Sequence, residues 1–219
     1  MKKERVHMLV ESAMLLTLGV VLELVSKILI PEMPFGGQLT LASMLPLVLI
    51  SFRYGVKWGL FCGSVYSLLQ MGLGVKTVSA AFQPGYFGGE KVMLLNAVIM
   101  ILLDYFIAYM LLGLGGIFRD KIRRPGLALM CGSLVAVSAR YVAHILSGYI
   151  LFSGWAELFF TQEGFPVWGT KLVEAVSPGM LGFLYSVVYN GMYMLPEIAI
   201  TAVAAVLIAR VPKIVTKMN

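Results

Sequence analysis

The sequence predicts an all-α integral membrane protein, a compact six-transmembrane-helix bundle with both termini cytoplasmic. Three observations predict it. Of the 219 residues, 59% are hydrophobic and only 13% charged, with a mean hydropathy of +0.89, whereas a soluble domain carries about a quarter charged residues. The apolar residues gather into six runs, and six crossings of about 20 residues each use roughly 120 residues, leaving the remainder for loops. Finally, twelve of the 17 basic residues fall in four clusters that alternate with basic-poor loops. A single membrane domain over residues 1–219 is therefore expected.

The first cluster, Lys2, Lys3 and Arg5, precedes helix 1 at about residues 8 to 30. This segment runs past the length of a signal core and lacks a clear small-x-small cleavage site, so it reads as a retained helix. Helix 2, at 39 to 52, is short for a full crossing, and helix 3 follows at 56 to 73, with Arg53 and Lys57 at the turn between them. Helix 4 covers about 93 to 115, and Arg119, Lys121, Arg123 and Arg124 lead into helix 5 at 126 to 152. Helix 6 spans 179 to 209, with Pro196 as a candidate kink, and ends before Arg210, Lys213 and Lys217. Placing the four clusters in the cytoplasm satisfies the positive-inside rule. The other loops then hold only Lys76, Lys91 and Lys171, while Lys27 and Arg140 lie within apolar segments.

Two outer loops are long, Gly74 to Lys91 and Ser153 to Pro178. Both are rich in aromatics and turn formers, among them Phe82, Tyr86, Phe87, Trp155, Phe159, Phe160, Phe165 and Trp168. Such loops act either as lids over a site or as anchors at the headgroups. Cys62 and Cys131 lie on different segments without a CxxC or Cys/His cluster, so neither a disulfide framework nor a zinc site is indicated. No metal or other cofactor is expected. HExxH, GxSxG and Walker A patterns are absent from the sequence, and an enzyme gains no support from it.

Ionisable groups within hydrocarbon are costly and normally face a cavity or a partner, which directs attention to Glu23, Lys27, Asp104, Arg140, His144 and Glu197. Glu23 and Lys27 are spaced for an intrahelical ion pair. Asp104 and Arg140 sit near the middle of helices 4 and 5, where a buried pair is the simplest arrangement. His144 lies one turn beyond Arg140, roughly 6 Å along the axis. Tyr105 follows Asp104, and helix 6 adds Tyr185, Tyr189 and Asn190. An acid, two basic groups, aromatic walls and an amide suit a small, flat, polar heterocycle.

These residues resemble the thiamine-binding S components (ThiT family) of energy-coupling factor transporters, over nearly the whole chain. Leu103-Asp104-Tyr105 resembles the family's Glu-Tyr pair. Arg140-Tyr141-Val142-Ala143-His144 resembles its basic residue followed four positions later by His, and Tyr185-Ser186-Val187-Val188-Tyr189-Asn190-Gly191 its Tyr-Ser-x-x-x-Asn-Gly run. The resemblance implies that Asp104, His144, Tyr185 and Asn190 contact the vitamin, and by the same matching Tyr105 and Arg140. It also implies a shared energy-coupling transmembrane subunit with an ATPase pair as partners, docked through small residues of helix 1. Ala13 and Thr17 form such a small-xxx-small pair. The lipid bilayer is the remaining partner, and nucleic acid is not expected despite the +6 net charge.

The sequence departs from the family at three places. Asp104 replaces Glu, Phe152 stands at the position of a stacking Trp, and the first outer loop, Met33 to Gln38, offers Phe35 but no Trp. Either Trp155 or Trp168 supplies the missing wall, or the ligand is a thiamine precursor or related heterocycle. Rival readings are a solitary proton-coupled carrier using Asp104 or Glu197, an intramembrane enzyme, and an assembly subunit without a ligand.

Overall fold

The computed structural model describes residues 2–31, 33, 37–88 and 94–215; Phe35, Lys91 and Lys217 lie outside them. The described residues are helical, with no strand among them. Among the described residues, six segments carry the fold: α1 Lys2–Leu29, α2 Leu45–Tyr54, α3 Val56–Leu73, α4 Leu94–Gly116, α5 Pro125–Leu151 and α6 Pro178–Ile208. Within the described residues, α1, α4, α5 and α6 are long and apolar enough to cross a membrane. α2 has only 10 residues, and α3, although 18 residues long, carries Lys57, Gln70 and several serines and glycines.

Helix 2 was expected from residue 39 but begins at Leu45, with Pro46 in its first turn. Residues 37–43 take an irregular path, and the first helical bond runs from the Val48 amide to the Met44 carbonyl at 3.2 Å. Ala42 adopts φ +57°, a left-handed conformation that a residue with a Cβ enters only at a cost. α3 follows α2 directly through Gly55 at φ +99°.

α4 is not a uniform helix. Residues Ile101–Ile107 wind as a π-helix and Leu111–Gly116 as a 3₁₀-helix. The tight segment is the packing centre of the bundle, touching α2, α3 and α5. Glycine makes that approach possible: a Cβ on Gly113 would stand 2.2 Å from the backbone nitrogen of Leu60. Ser51 fastens the junction by donating to the Gly113 carbonyl and accepting from the Gly116 amide at 2.8 Å. The wider π segment holds Asp104 and Tyr105, and π turns are frequent at functional sites.

Arg53, Arg119 and the C-terminal stretch come together at one end of the bundle. Arg53 bonds Glu11 of α1 at 3.1 Å and the Lys213 and Ile214 carbonyls at 3.0 and 2.8 Å, while Arg119 donates to the Arg53 carbonyl. The flanks are apolar and exposed: on α1, Met14 is 67% and Ile28 83% exposed. A continuous surface of this kind is unfavourable in water and matches hydrocarbon. Two short helices, Ala156–Thr161 and Trp168–Ala175, fold the long connection between α5 and α6 into a compact cap.

Candidate functional site

One cavity lies towards the end of the bundle opposite the Arg53 cluster, and Asp104, Tyr105, Arg140, His144, Phe152, Tyr185 and Asn190 all line it. Water centres have about 170 Å³ within it, whereas one water needs only ~10–15 Å³ on that measure. Helical spacing explains the convergence. Arg140, His144 and Gly148 recur every four residues along one face of α5, as do Tyr185, Tyr189 and Tyr193 along α6. The π segment of α4 brings Asp104 and Tyr105 to the facing wall.

The ionisable groups form a relay instead of the expected direct Asp104 and Arg140 pair, because His144 stands between them. Arg140 Nε donates to His144 Nε2 at 3.2 Å, and His144 Nδ1 lies 2.9 Å from Asp104 Oδ1. An arginine has no acceptor, so Nε2 must accept, and the proton belongs on Nδ1, facing the carboxylate. Ser147, two turns beyond Arg140, donates to Asp104 Oδ2 at 2.6 Å. The arginine also places Cζ 4.2 Å from the centre of the Tyr109 ring, a cation–π geometry. Each charge is therefore compensated within a part-buried network, and the carboxylate keeps further lone pairs for a ligand.

Asn190 joins α5 to α6. Its amide nitrogen donates to the Ser186 carbonyl at 2.8 Å and the His144 carbonyl at 3.2 Å, while its oxygen accepts from Tyr193 at 2.7 Å. Tyr185 and Tyr189 stack with centroids 5.7 Å apart, and Phe159 of the outer cap meets their edges at 5.3 and 5.9 Å. Phe159 and Phe160 are buried in this cap, so the loop covers the tyrosines as well as presenting Trp168 to the surroundings.

The wall expected of a tryptophan is built differently. Phe152 lines the cavity beside Tyr86, centroids 5.8 Å apart, and neither Trp155 nor Trp168 reaches the lining. Trp155 instead donates to the Tyr86 carbonyl at 3.2 Å and so fastens the two outer loops together. The expected Glu23 and Lys27 ion pair is also replaced: Gln70 of α3 donates to Glu23 at 2.8 Å, and the exposed Lys27 stands at the cavity edge. Glu23 is buried against α3 while Lys27 is exposed, so the carboxylate takes its partner from α3.

Sequence reasoning missed Tyr109, Tyr193, Gln70 and the backing residue Ser147. Spacing held a signal for two of them, since Tyr193 continues the Tyr185 and Tyr189 series and Ser147 lies three residues after His144. The first outer loop reaches the cavity through Gly37 and Gln38, and Thr40, which falls within the expected helix 2, lines it with no signal along the chain to mark it. Ala13 and Thr17, the expected docking pair, are both exposed on α1, with Thr17 donating to the Ala13 carbonyl at 2.9 Å.

Comparison with known proteins gives a consistent result. The family described as Thiamine transporter protein (Thia_YuaJ) matches residues 9–84 and 86–216. The thiamine transporter ThiT of Bacillus subtilis is 32% identical over 209 residues, which cover 91% of this chain and 88% of that protein. A solved structure of ThiT from Listeria monocytogenes superposes with a TM-score of 0.64 at 18% identity, over 96% of this chain and 98% of the other. That structural likeness speaks to the fold.

Proposed function

The chain belongs to the thiamine transporter protein family, and within it we propose that it is the substrate-capture (S) subunit of an energy-coupling factor vitamin importer, binding thiamine from outside. Members of this family are membrane transporters and not enzymes, and the apolar flanks of α1, α4, α5 and α6 fit a multi-pass protein of the cell membrane. We take all six segments as one transmembrane domain with both termini cytoplasmic. The gathering of Glu11, Arg53, Arg119 and the C-terminal basic stretch at the end away from the cavity supports this orientation, given the positive-inside rule.

The observation that carries the reading is the Asp104 carboxylate, oriented by His144 and Ser147 at the wall of a cavity flanked by stacked tyrosines. Thiamine joins an aminopyrimidine to a thiazolium cation. A fixed carboxylate accepts hydrogen bonds from the amine or balances the cation, and the faces of Tyr185, Tyr189, Tyr86 and Phe152 offer the negative end of a ring quadrupole. Tyr105, Arg140 and Asn190 complete the polar lining. In a solitary proton-coupled carrier, Asp104 or Glu197 would be the proton site. Both carboxyl groups instead accept two hydrogen bonds from neighbouring segments, which favours groups held in place over groups that exchange protons.

Energy then comes from a partner transmembrane subunit and its ATPase pair, docked on α1. The exposure of Ala13 and Thr17 supports this, since small residues permit close helix approach. The test is to purify the chain in mild detergent and identify its bound ligand by mass spectrometry. Thiamine is expected; recovery of a precursor would redirect the substrate, and failure to bind added thiamine would refute the reading.

A further inference from the structure

A glutamate wholly inside an apolar helix demands a reason. Glu197 follows Pro196 in α6, is 0% exposed, and does not line the cavity. It lies 11 residues before the inner end of α6 at Ile208, or roughly 17 Å at 1.5 Å per residue, close to the middle of the bilayer's hydrocarbon core. Both of its oxygens are occupied by one residue of the irregular stretch between α1 and α2. Thr40 N donates to Oε2 at 2.7 Å, and Thr40 Oγ1 donates to Oε1 at 2.6 Å.

Non-helical backbone is tolerated at membrane depth only where protein satisfies its polar groups. Here side chains do so in sequence: Tyr189 OH accepts from the Gly37 amide at 3.1 Å, Glu197 from Thr40, and Ser26 from the Leu41 amide at 2.8 Å. Immediately beyond stands Ala42 with its left-handed φ of +57°, a conformation that persists only when its surroundings over-determine it. The stretch is pressed against α6 as well, because a Cβ on Gly37 would fall 2.6 Å from the Tyr193 ring. Gly37, Gln38 and Thr40 line the same cavity as Asp104 and His144.

We infer that Glu197 is a positioning residue: through Thr40 it holds residues 37–40 in place as a wall of the thiamine pocket. The inference rests on the capture reading for the identity of the ligand, and on the geometry alone for the placement of the wall. The acceptor matters more than the charge. A glutamine at position 197 can accept from the Thr40 amide through its oxygen and donate to Thr40 Oγ1 through its nitrogen. The Thr40 hydroxyl proton then turns to Ser43 Oγ, already 2.7 Å away. Alanine at 197 can do neither.

The test uses the full chain in detergent, with Cys62 and Cys131 replaced by alanine and a single cysteine placed at Gln38. Two quantities are read: its rate of labelling by a bulky, water-soluble maleimide without ligand, and, in the chain that keeps Gln38, thiamine affinity by calorimetry. Glu197→Ala should speed labelling and weaken thiamine, each by about tenfold or more, the scale set by leaving a buried donor of Thr40 without its acceptor. Glu197→Gln should keep both near the parent values. Labelling of Glu197→Ala at the parent rate, or a Glu197→Gln as impaired as the alanine variant, overturns the inference. If Glu197→Ala does not fold, Thr40→Val decides by the same labelling criterion, since it removes the bond to Oε1 with little change in volume. If the chain that keeps Gln38 ignores thiamine while labelling responds as expected, the positioned wall is supported and thiamine capture is refuted. A parent that binds thiamine while labelling is insensitive to both substitutions refutes the wall alone.

Discussion

Replacing Asp104 by asparagine isolates the charge from the shape of the pocket. The carboxylate receives His144 Nδ1 at 2.9 Å and Ser147 Oγ at 2.6 Å. An asparagine can turn its oxygen to His144 and its amide to Ser147, whose hydroxyl then accepts instead of donating. The local fold therefore survives, and the loss falls on the ligand. Two unit charges 4 Å apart interact by about 4 kcal/mol at an effective dielectric of 20, but binding also strips water from both. The net worth of a hydrogen bond to a charged group, about 1.5 to 3 kcal/mol, is the better guide. At about 1.4 kcal/mol per decade, thiamine affinity should fall roughly ten- to a hundredfold. Calorimetry on detergent-solubilised protein reads this directly, with thermal melting as the control for folding. An unchanged affinity in a folded Asp104→Asn variant would leave the carboxylate only the task of orienting His144, and the site assignment would fail.

Topology and docking give two further predictions. Single cysteines placed at Lys121 and Glu163, both exposed, should react from opposite sides of the membrane, with position 163 reachable by an impermeant reagent from outside; reaction of both from one side would defeat the proposed orientation. Replacing Ala13 or Thr17 with leucine should impair transport in cells while thiamine affinity of the purified chain stays unchanged, because both side chains face away from the bundle; a fall in affinity would place these residues in the binding machinery instead.

Much of this protein was legible along the chain because a membrane imposes local rules. Each crossing needs contiguous apolar residues, so α1, α4, α5 and α6 were evident from composition alone, and α3 was found at its observed limits. The same solvent makes every ionisable group conspicuous. That is why Asp104, Arg140, His144 and Glu197 stood out, and why spacing along α5 and α6 collected the residues that share a cavity wall. Spacing specifies neighbours on one helix only. Depth and rotation between helices are set by close contacts such as Gly113 against Leu60, and these decided that Glu23 meets Gln70 instead of Lys27 and that His144 separates Asp104 from Arg140. The π turn that presents Asp104 and Tyr105 has no periodicity to betray it. Least legible was the stretch from Gly37 to Ala42, expected in part as helix. Its path is held by side chains up to 157 residues away along the chain, so only the assembled tertiary structure could determine it.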